Sequence, residues 1–197
     1  NLKEAVIKKF SCQNVSIEND ANVFALGSYK LLKCNINDVL LGITLGTGIG
    51  FGIIINGAIF KGSYGMAGEY EPSPLENNLT WAEKIGYKFF QFESGKNFNK
   101  NLTPKQLFQL AENNNEKALE IWNKYGENIG LCLSHVINII NPNYISIGGG
   151  ISKGNKFFDS KIKETLKDKC FIFDSKKINI SYDEECHSIY YGGLFIY

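Results

Sequence analysis

The stretch DVLLGITLGTGIGFGIIINGAIFKG, residues 38–62, decides the fold class of this chain. It holds three apolar runs, at 39–45, 51–55 and 58–60, and short apolar runs bounded by turn residues are typical of buried strands. Between the second and third runs stands Asn56-Gly57, the dipeptide favoured in the type I′ turn of a tight hairpin. The stretch therefore predicts an antiparallel meander, most of it buried.

Helical and strand-like segments flank the meander on both sides. Before it, the pattern predicts a helix at 1–10, a strand at 14–19 and a helix at 21–33. After it come a loop at 62–76, a helix that begins with the capping box TWAE at 80–83, an exposed loop at 94–101, and a helix that begins at 103–104. A long helix then ends at Asn141-Pro142, with or without a break near Gly126.

Two more strands are predicted, in YISIGGGIS (144–152) and KINISY (177–182), and a helical segment follows each of them. Strands that alternate with helices are typical of layered α/β proteins. The predicted fold is therefore α/β: a mixed sheet, made of an antiparallel meander plus helix-crossed strands, flanked by helices.

The composition is that of an ordinary globular protein. Of the 197 residues, 44% are hydrophobic and 21% are charged, and the formal net charge is +1. A balanced charge gives no broad attraction to nucleic acid or anionic lipid, and no apolar run is long enough to span a bilayer. We therefore expect this chain to bind neither nucleic acid nor membrane.

The cysteines and histidines limit the metal and redox chemistry to be expected. Five cysteines lie far apart without a CxxC pair, and there are two histidines. An odd number of scattered cysteines favours buried thiols in a reducing cytosol, which predicts a cytoplasmic protein. The same scarcity of clustered ligands argues against a metal centre, and against zinc in particular.

Asn19 and Asp20 stand where the predicted strand at 14–19 meets the next helix. Asp20 is suited to cap that helix, because its carboxylate can accept hydrogen bonds from the free backbone N–H groups of the first turn. An amide beside a carboxylate also suits a ligand with several hydroxyl groups, such as a sugar. The two roles are compatible.

Two glycine-rich turns are candidates for phosphate or nucleotide binding. LGTGIGFG (45–52) joins two predicted strands, so it is neither a Rossmann turn nor a P-loop, but its backbone N–H groups can approach an anion closely. A flexible hairpin turn is the alternative. The second, IGGGIS (147–152), lies at the carboxyl end of a strand, the usual ligand position in α/β sheets; close packing of helix on sheet is the alternative there.

Four segments, in this order along the chain, resemble the ROK family of sugar kinases, repressors and open reading frames. They are ENDAN (18–22), LGTGIGFGIIINGAIFKGSYGMAGE (45–69), NPNYISIGGGIS (141–152) and the closing GGL (192–194). The likeness runs from the first helix to the end of the chain. It implies an actin-like ATPase (ribonuclease H-like) domain and an ATP-dependent kinase that phosphorylates the 6-hydroxyl of a hexose, most directly glucose.

The resemblance also implies a role for each candidate residue. Asp20 would be the base for the attacking hydroxyl, Asn19 would bind neighbouring hydroxyls, and Glu69 would contact the sugar near its anomeric end. The ATP tail would be held by the turn of Gly46, Thr47 and Gly48. The adenosine pocket would be lined by Gly148, Gly149 and Gly150.

One departure from the family pattern concerns the amino-terminal side. The family has another phosphate loop there, an Asp followed by Gly-Gly-Thr in a domain of its own, and this chain has no counterpart. The resemblance therefore implies that residues 1–197 are a carboxy-terminal domain. It also implies that Mg²⁺ is held mainly by residues of the amino-terminal domain, and that the subunits form a homodimer.

A second departure concerns zinc. Many members place Gly-His one residue after AGE, followed by cysteines that hold zinc; here Glu71-Pro72 take the Gly-His positions and the cysteines are missing. The glutamate that usually follows is assigned to Glu83, with Thr80 or Trp81 as alternatives for that position. The segment LTWAEKIG (79–86) resembles a zinc-free branch that includes polyphosphate-dependent glucokinases, so ATP and polyphosphate both stay open as donors.

Two other functions fit parts of this pattern: a sugar-sensing transcriptional regulator of the same family, and a non-catalytic assembly domain. A sensor needs sugar contacts but no phosphate-binding turn. Asp20 together with the two glycine turns therefore favours the kinase.

Overall fold

The structure is a computed structural model and describes residues 1–12, 14–171, 173–174 and 177–196. Within these residues, five strands form one mixed sheet in the order β3-β2-β1-β4-β5. The strands are β1 (Leu40–Leu45), β2 (Ile49–Ile55), β3 (Ala58–Ile59), β4 (Tyr144–Gly148) and β5 (Asn179–Asp183).

Helices cover both faces of the sheet. The α-helices are α1 (Leu2–Phe10), α2 (Asp20–Leu31), α3 (Trp81–Ile85), α4 (Tyr87–Phe98), α5 (Pro104–Glu112), α6 (Glu116–Ile140), α7 (Asp159–Lys169) and α8 (His187–Gly193). Two 3-10 helices span Glu76–Asn78 and Gly150–Phe157. No helix among the described residues has the length and apolarity needed to cross a membrane.

The predicted sheet is confirmed. β1, β2 and β3 pair antiparallel in chain order, and Asn56 and Gly57 in the turn between β2 and β3 both have positive φ, 53° and 73°, as a type I′ turn requires. β4 pairs parallel with β1, and β5 parallel with β4 across α7. The sheet is therefore a meander extended by helix-crossed strands.

Four details differ from the sequence-based prediction. Residues 14–19 are not a strand, because the described chain offers them no pairing partner. The helix predicted from residue 81 is broken at Gly86, and α4 continues through part of the predicted loop to Phe98, with Ser94 buried. Among the five free cysteines only Cys132 is fully buried, whereas the others are half-buried. For α6, where the sequence left a break near Gly126 open, the structure has the unbroken helix.

The sheet separates two apolar layers. Along β1, Leu40 belongs to the layer of α2, whereas Leu41 and Ile43 belong to the layer of α6 and α7, as the period-2 alternation of a strand requires. The α6 layer is rich in aromatic rings; Trp122 and Phe158, for example, are stacked with ring centroids 5.8 Å apart.

The α2 layer depends on close backbone approach. A Cβ atom on Gly42 or Gly52 would lie 2.6 Å or 2.3 Å from atoms of α2, and one on Gly27 would lie 1.8 Å from the carbonyl oxygen of Ser188 in α8. Gly42 and Gly52 seat α2 directly on β1 and β2, and Gly27 lets α8 pack closely on α2. The amino-terminal end of α2 is thereby fixed beside the turn between β1 and β2 and the carboxyl end of β4.

Candidate active site

A pocket of about 540 Å³ lies at this edge of the sheet. It is bounded by the start of α2, the turn between β1 and β2, the loop at 68–71 and the glycines after β4. Its lining residues are Asn19, Asp20, Ala21, Thr44, Leu45, Gly46, Thr47, Gly48, Ile49, Gly50, Phe51, Gly68, Glu69, Glu71, Gly149, Gly150 and Ile189. Eight of the ten residues singled out from the sequence are among them; Gly148 and Glu83 are not.

The start of α2 places Asn19 and Asp20 in the pocket. The residue that caps the helix is Asn19 and not Asp20: Oδ1 of Asn19 accepts hydrogen bonds from the backbone N–H groups of Ala21 at 2.9 Å and Asn22 at 3.2 Å. Because Asn19 caps through its oxygen, its side-chain NH₂ is left as a donor for a ligand. Asp20 is the first helical residue and is exposed in the pocket; its Oδ1 also accepts a hydrogen bond from the Ala21 N–H at 2.9 Å, and its other oxygen is left for a ligand.

Glu18, the residue before Asn19, holds the start of α2 in place through its carboxylate. Its carboxylate forms an ion pair with Lys61 and accepts a hydrogen bond from Asn22 Nδ2 at 2.9 Å and one from the Asn19 backbone N–H at 3.1 Å. Burial acts to raise the pKa of Glu18, but these hydrogen bonds together lower the pKa below its ordinary value of 4.5. The ion pair therefore ties the residue before Asn19 to the chain just after β3.

The glycine turn between β1 and β2 is braced by α4. The backbone N–H of Gly46 donates to the Gly48 carbonyl at 3.0 Å, and the N–H of Tyr87, the first residue of α4, donates to the carbonyls of Gly46 and Thr47, each at 3.1 Å. Gly86 is needed for this contact, since a Cβ there would lie 2.5 Å from the Thr47 carbonyl oxygen. The turn is therefore held in a fixed shape with its glycine backbone facing the pocket.

The three glycines after β4 have different surroundings. Gly148 is buried inside the sheet, where a Cβ would lie 2.4 Å from the Phe24 ring, so the packing interpretation holds for this residue. Gly149 has φ of 90° and lies against the backbone of Leu45, while its N–H donates to Cys186 Sγ at 3.2 Å. Gly149 and exposed Gly150 line the pocket and leave backbone there for a flat ligand.

The loop at 68–71 brings two glutamates to the pocket, Glu69 and Glu71. Of the two, Glu69 is the residue expected from the family resemblance to contact the sugar, whereas Glu71 is a departure from the family pattern. The loop is made of turns, with the Tyr70 N–H donating to the Gly68 carbonyl at 2.7 Å and the Ser73 N–H to the Tyr70 carbonyl at 3.1 Å, so no simple periodicity in the sequence marked Glu71.

Tyr70 fixes this loop from its other side. Its ring packs edge-on against Phe51 with centroids 5.8 Å apart and lies 6.1 Å from the ring of Trp81, and its hydroxyl is 2.9 Å from Nδ1 of His135. Burial raises the pKa of Tyr70 above its ordinary value. The side chain that separates the two glutamates is therefore anchored to β2, α3 and α6.

Glu83 lies elsewhere. Its carboxylate accepts hydrogen bonds from the backbone N–H of Thr80 at 3.0 Å and from the Thr80 hydroxyl at 3.2 Å, which confirms the capping box at the start of α3. It lines a different cavity of about 320 Å³, together with Phe89 and Phe92 among others. A sugar contact by Glu83 stays a prediction that this geometry does not favour.

The charged side chains that line the pocket are all acidic. Its described lining includes the carboxylates of Asp20, Glu69 and Glu71 and no Lys, Arg or His side chain. Among the residues that the structure describes, no group of three or more His, Cys, Asp or Glu side chains is close enough to hold a metal ion. The pocket thus brings an amide and a carboxylate at the start of α2 together with the glycine backbone of the two turns.

Curated proteins are similar in sequence to this chain over much of its length. An N-acetyl-D-glucosamine kinase from Haemophilus influenzae is 27% identical over 168 residues, 75% of this chain and 55% of that protein. A glucokinase from Halalkalibacterium halodurans is 31% identical over 175 residues, 76% and 53%. A xylose repressor from Caldicellulosiruptor bescii is 26% identical over 205 residues, 91% and 51%. The chain spans about half the length of these curated relatives.

Solved structures share the fold. A ROK hexokinase from Thermus thermophilus superposes with a TM-score of 0.80 at 18% identity, covering 98% of this chain and 70% of the other. A ROK family glucokinase from Streptomyces griseus, solved with glucose and AMPPNP, gives 0.79 at 20% identity, covering 98% and 71%. These structures confirm the predicted actin-like ATPase fold. The sequence profile of the ROK family matches residues 1–78 and 90–182, and the chain therefore belongs to the ROK family.

Proposed function

We propose that the protein transfers a phosphoryl group from ATP to the 6-hydroxyl of a hexose, with glucose as the first candidate. The observation that carries this proposal is the shared pocket: the carboxylate of Asp20 and the glycine turn at 46–48 line the same cavity. The relatives that are glucokinases and N-acetyl-D-glucosamine kinases support sugar phosphorylation as the class of reaction.

In this mechanism the start of α2 holds the sugar. The side-chain NH₂ of Asn19 and the carboxylate of Glu69 bind sugar hydroxyls, and Asp20 accepts a hydrogen bond from the 6-hydroxyl. As the oxygen–phosphorus bond to the sugar forms and the bond to the leaving ADP oxygen breaks, the hydroxyl proton passes to Asp20. Phosphoryl transfer has a loose transition state, so alignment of the hydroxyl contributes more than early removal of its proton.

The phosphate chain of ATP belongs at the glycine turn. Backbone N–H groups of a glycine turn can approach phosphate oxygens without interference from side chains, and Thr47 adds a hydroxyl donor. Gly149 and Gly150 form the adjacent wall, on which we place the adenosine. Among the described residues no three His, Cys, Asp or Glu side chains are close enough to hold a metal ion, and no step of this mechanism is assigned to a metal.

The domain and assembly assignments are also proposals. The chain spans 55% and 53% of the two kinases it resembles, and the assignment of residues 1–197 as a carboxy-terminal domain stays a prediction from the family resemblance. A homodimer stays a prediction from the family resemblance.

The test of the proposed function is the substitution Asp20→Asn in the intact protein. Asparagine keeps the size of the side chain and one oxygen acceptor but cannot take up the hydroxyl proton. We expect turnover to fall by roughly 10²-fold or more, the usual loss when a general base is removed, while glucose binding largely survives. A coupled assay for hexose phosphate measures the turnover, and calorimetric titration with glucose measures the binding.

The control is Asp168→Asn, the same chemical change at an exposed residue of α7 outside the pocket. It should leave turnover at the parent level. Turnover of the Asp20→Asn protein within a few-fold of the parent, in a folded sample, would remove Asp20 from the role of base.

A sugar-sensing regulator is the second candidate, because the xylose repressor from Caldicellulosiruptor bescii aligns with 91% of this chain. The pocket contains both hydroxyl-binding groups and a phosphate-binding turn, which favours the kinase. The coupled assay decides between them: a regulator binds the sugar without producing hexose phosphate, whereas the kinase produces it in proportion to ATP consumed.

A further inference from the structure

The carboxylate of Glu71 lies in the glycine turn that we assign to the phosphate chain. Its Oε1 accepts a hydrogen bond from the backbone N–H of Ile49 at 3.4 Å. A Cβ atom built on Gly48 would lie only 1.8 Å from this Oε1, so the carboxylate fills the space that the missing side chain of Gly48 leaves. Glu71 therefore touches the glycine turn, and both line the same pocket.

Backbone hydrogen bonds hold both Glu71 and the glycine turn in this position. The Glu71 carbonyl accepts a hydrogen bond from the N–H of Ala82 at 3.3 Å, and the turn itself is tied to Tyr87. Both partners belong to the consecutive helices α3 and α4, so the loop of Glu71 and the glycine turn are held against the same support. The neighbouring Tyr70 is anchored to Phe51 and His135, which further limits movement of the loop.

A carboxylate in this position competes with phosphate in two ways. It occupies the Ile49 N–H, and a donor that already serves a carboxylate oxygen is not free for a phosphate oxygen. It also adds a negative charge to a pocket whose described lining has carboxylates but no cationic side chain. Like charges at close range in a partly desolvated site repel strongly.

We propose that Glu71 occupies the phosphate subsite of the glycine turn in the donor-free protein and competes there with the phosphate chain of the donor. A phosphate chain binds there only after it displaces the Glu71 carboxylate from the Ile49 N–H. The proposal rests on the proposed function, since it takes the glycine turn as the site of the phosphate chain. It concerns the donor, and it is independent of which hexose is bound.

The experiment is calorimetric titration of the protein and its Glu71→Gln variant with inorganic tripolyphosphate, in EDTA and without sugar. Glutamine keeps the length and shape of the side chain but removes the charge and weakens the competing acceptor. We expect the variant to bind tripolyphosphate more tightly by on the order of tenfold. Thermal unfolding of the variant, followed by circular dichroism, confirms that the fold is kept.

The matched control is Glu69→Gln, which removes an equal charge from the same pocket. In the structure only Glu71, of these two, is hydrogen-bonded to the turn. The control should therefore tighten binding much less than Glu71→Gln does. An equal gain in the two variants would mean that only the overall charge of the pocket matters, and it would overturn the competition at Ile49.

Two further outcomes separate this proposal from the proposed function. Equal affinity of the parent and the Glu71→Gln protein, or weaker binding by the variant, overturns the role of Glu71 and leaves the glycine turn as a phosphate site. Failure of both proteins to bind tripolyphosphate overturns the phosphate assignment of the turn, and the role of Glu71 with it.

Discussion

Asn19 and Asp20 divide two tasks that the sequence assigned to one residue. Both residues are common helix caps, and the sequence does not show which of them the helix begins with. In the structure the helix begins at Asp20, so Asn19 does the capping and the Asp20 carboxylate is not needed as the cap. A shift of one residue in the helix start is what leaves the predicted base available for chemistry.

This division predicts different effects for two substitutions of Asn19. Asn19→Ala removes the cap and should lower the free energy of unfolding by about 1 kcal/mol. Asn19→Asp keeps an oxygen acceptor and places a negative charge at the helix start, which is favourable there, so its stability should stay near that of the parent. Both lose the NH₂ donor, and we expect both to weaken glucose binding by roughly tenfold.

Urea denaturation and glucose titration measure the two effects separately. Asn115→Asp is the control, because Asn115 caps α6 through a hydrogen bond from Ala118 N–H at 3.1 Å and lies outside the pocket. It should leave glucose binding unchanged. If Asn19→Asp binds glucose as tightly as the parent, the NH₂ of Asn19 is not a sugar contact.

Two residues predicted for the site, Glu83 and Gly148, do not line the pocket, for different physical reasons. Glu83 has the spacing of a capping box with Thr80, and that local pattern was the more reliable guide to its place. Gly148 belongs to the same glycine run as Gly149 and Gly150, but the ring of Phe24 against its Cα shows that its lack of a side chain serves packing. No local pattern in the run of three glycines separates these uses.

At the scale of elements, the glycine turn depends on the break between α3 and α4. The sequence predicted one helix from residue 81 onwards, because a single glycine inside an amphipathic pattern is weak evidence for a break. The structure ends α3 at Ile85 and starts α4 at Tyr87, whose N–H then reaches the carbonyls of Gly46 and Thr47. The contact joins residues about forty positions apart, which local periodicity cannot predict.

Gly86→Ala should therefore destabilise the protein and displace the glycine turn at 46–48. The backbone angles at Gly86, φ −73° and ψ 178°, suit any residue, so backbone strain is not the reason. The added Cβ would lie 2.4 Å from the Ala82 carbonyl oxygen and 2.5 Å from that of Thr47, and backbone atoms cannot rotate away. We expect a loss of about 1–3 kcal/mol in the free energy of unfolding, measured by urea denaturation, and weaker ATP binding.

Gly95→Ala in α4 is the matched control for this effect. Its Cβ would meet only the side-chain oxygen of Asn101, at 3.1 Å, and alanine is favoured over glycine inside a helix by up to about 1 kcal/mol. This variant should be as stable as the parent or more stable. A Gly86→Ala protein of parental stability would show that α4 does not press on the turn.

The strand predicted at 14–19 shows what an element needs beyond its own sequence. Val15 and Ile17 alternate with polar residues as a strand would, yet Ile17 is 52% exposed and the described chain offers this segment no pairing partner. The strands of the meander were predictable because their partners follow within a few residues. A lone extended segment has no such local support.

At the scale of the whole molecule, the topology gathers the pocket from distant parts of the chain. β1 and β4 are parallel neighbours, so their carboxyl ends meet at one edge, and α2 is seated on β1 and β2 so that its start faces the same edge. Ligand sites of α/β sheets are expected at this edge. The fold class therefore followed from the order of strands and helices, and eight of the ten candidate site residues, all taken from the segments that resemble the ROK family, lie in the pocket.

The same geometry makes a prediction for residues 1–197 expressed alone. The aromatic layer around Trp122 and Phe158, together with the α2 layer, gives this unit a core of its own, so we expect cooperative unfolding. Catalysis also requires that water be excluded from the pocket. Asn19, Asp20 and Gly150 are all exposed, so a sugar and a nucleotide bound here would still face water on one side.

Phosphoryl transfer depends on preorganised charge and on the exclusion of water, and both need a cleft that closes over the two substrates. We therefore expect residues 1–197 to unfold as one unit but to turn over glucose and ATP far below the ordinary kinase range of roughly 1–100 per second. Thermal unfolding and the coupled hexose phosphate assay, run on the same sample, measure both properties. Turnover within that range would show that the pocket described here suffices for catalysis without a second wall, because Asp20 and the glycine turn would then align the substrates by themselves.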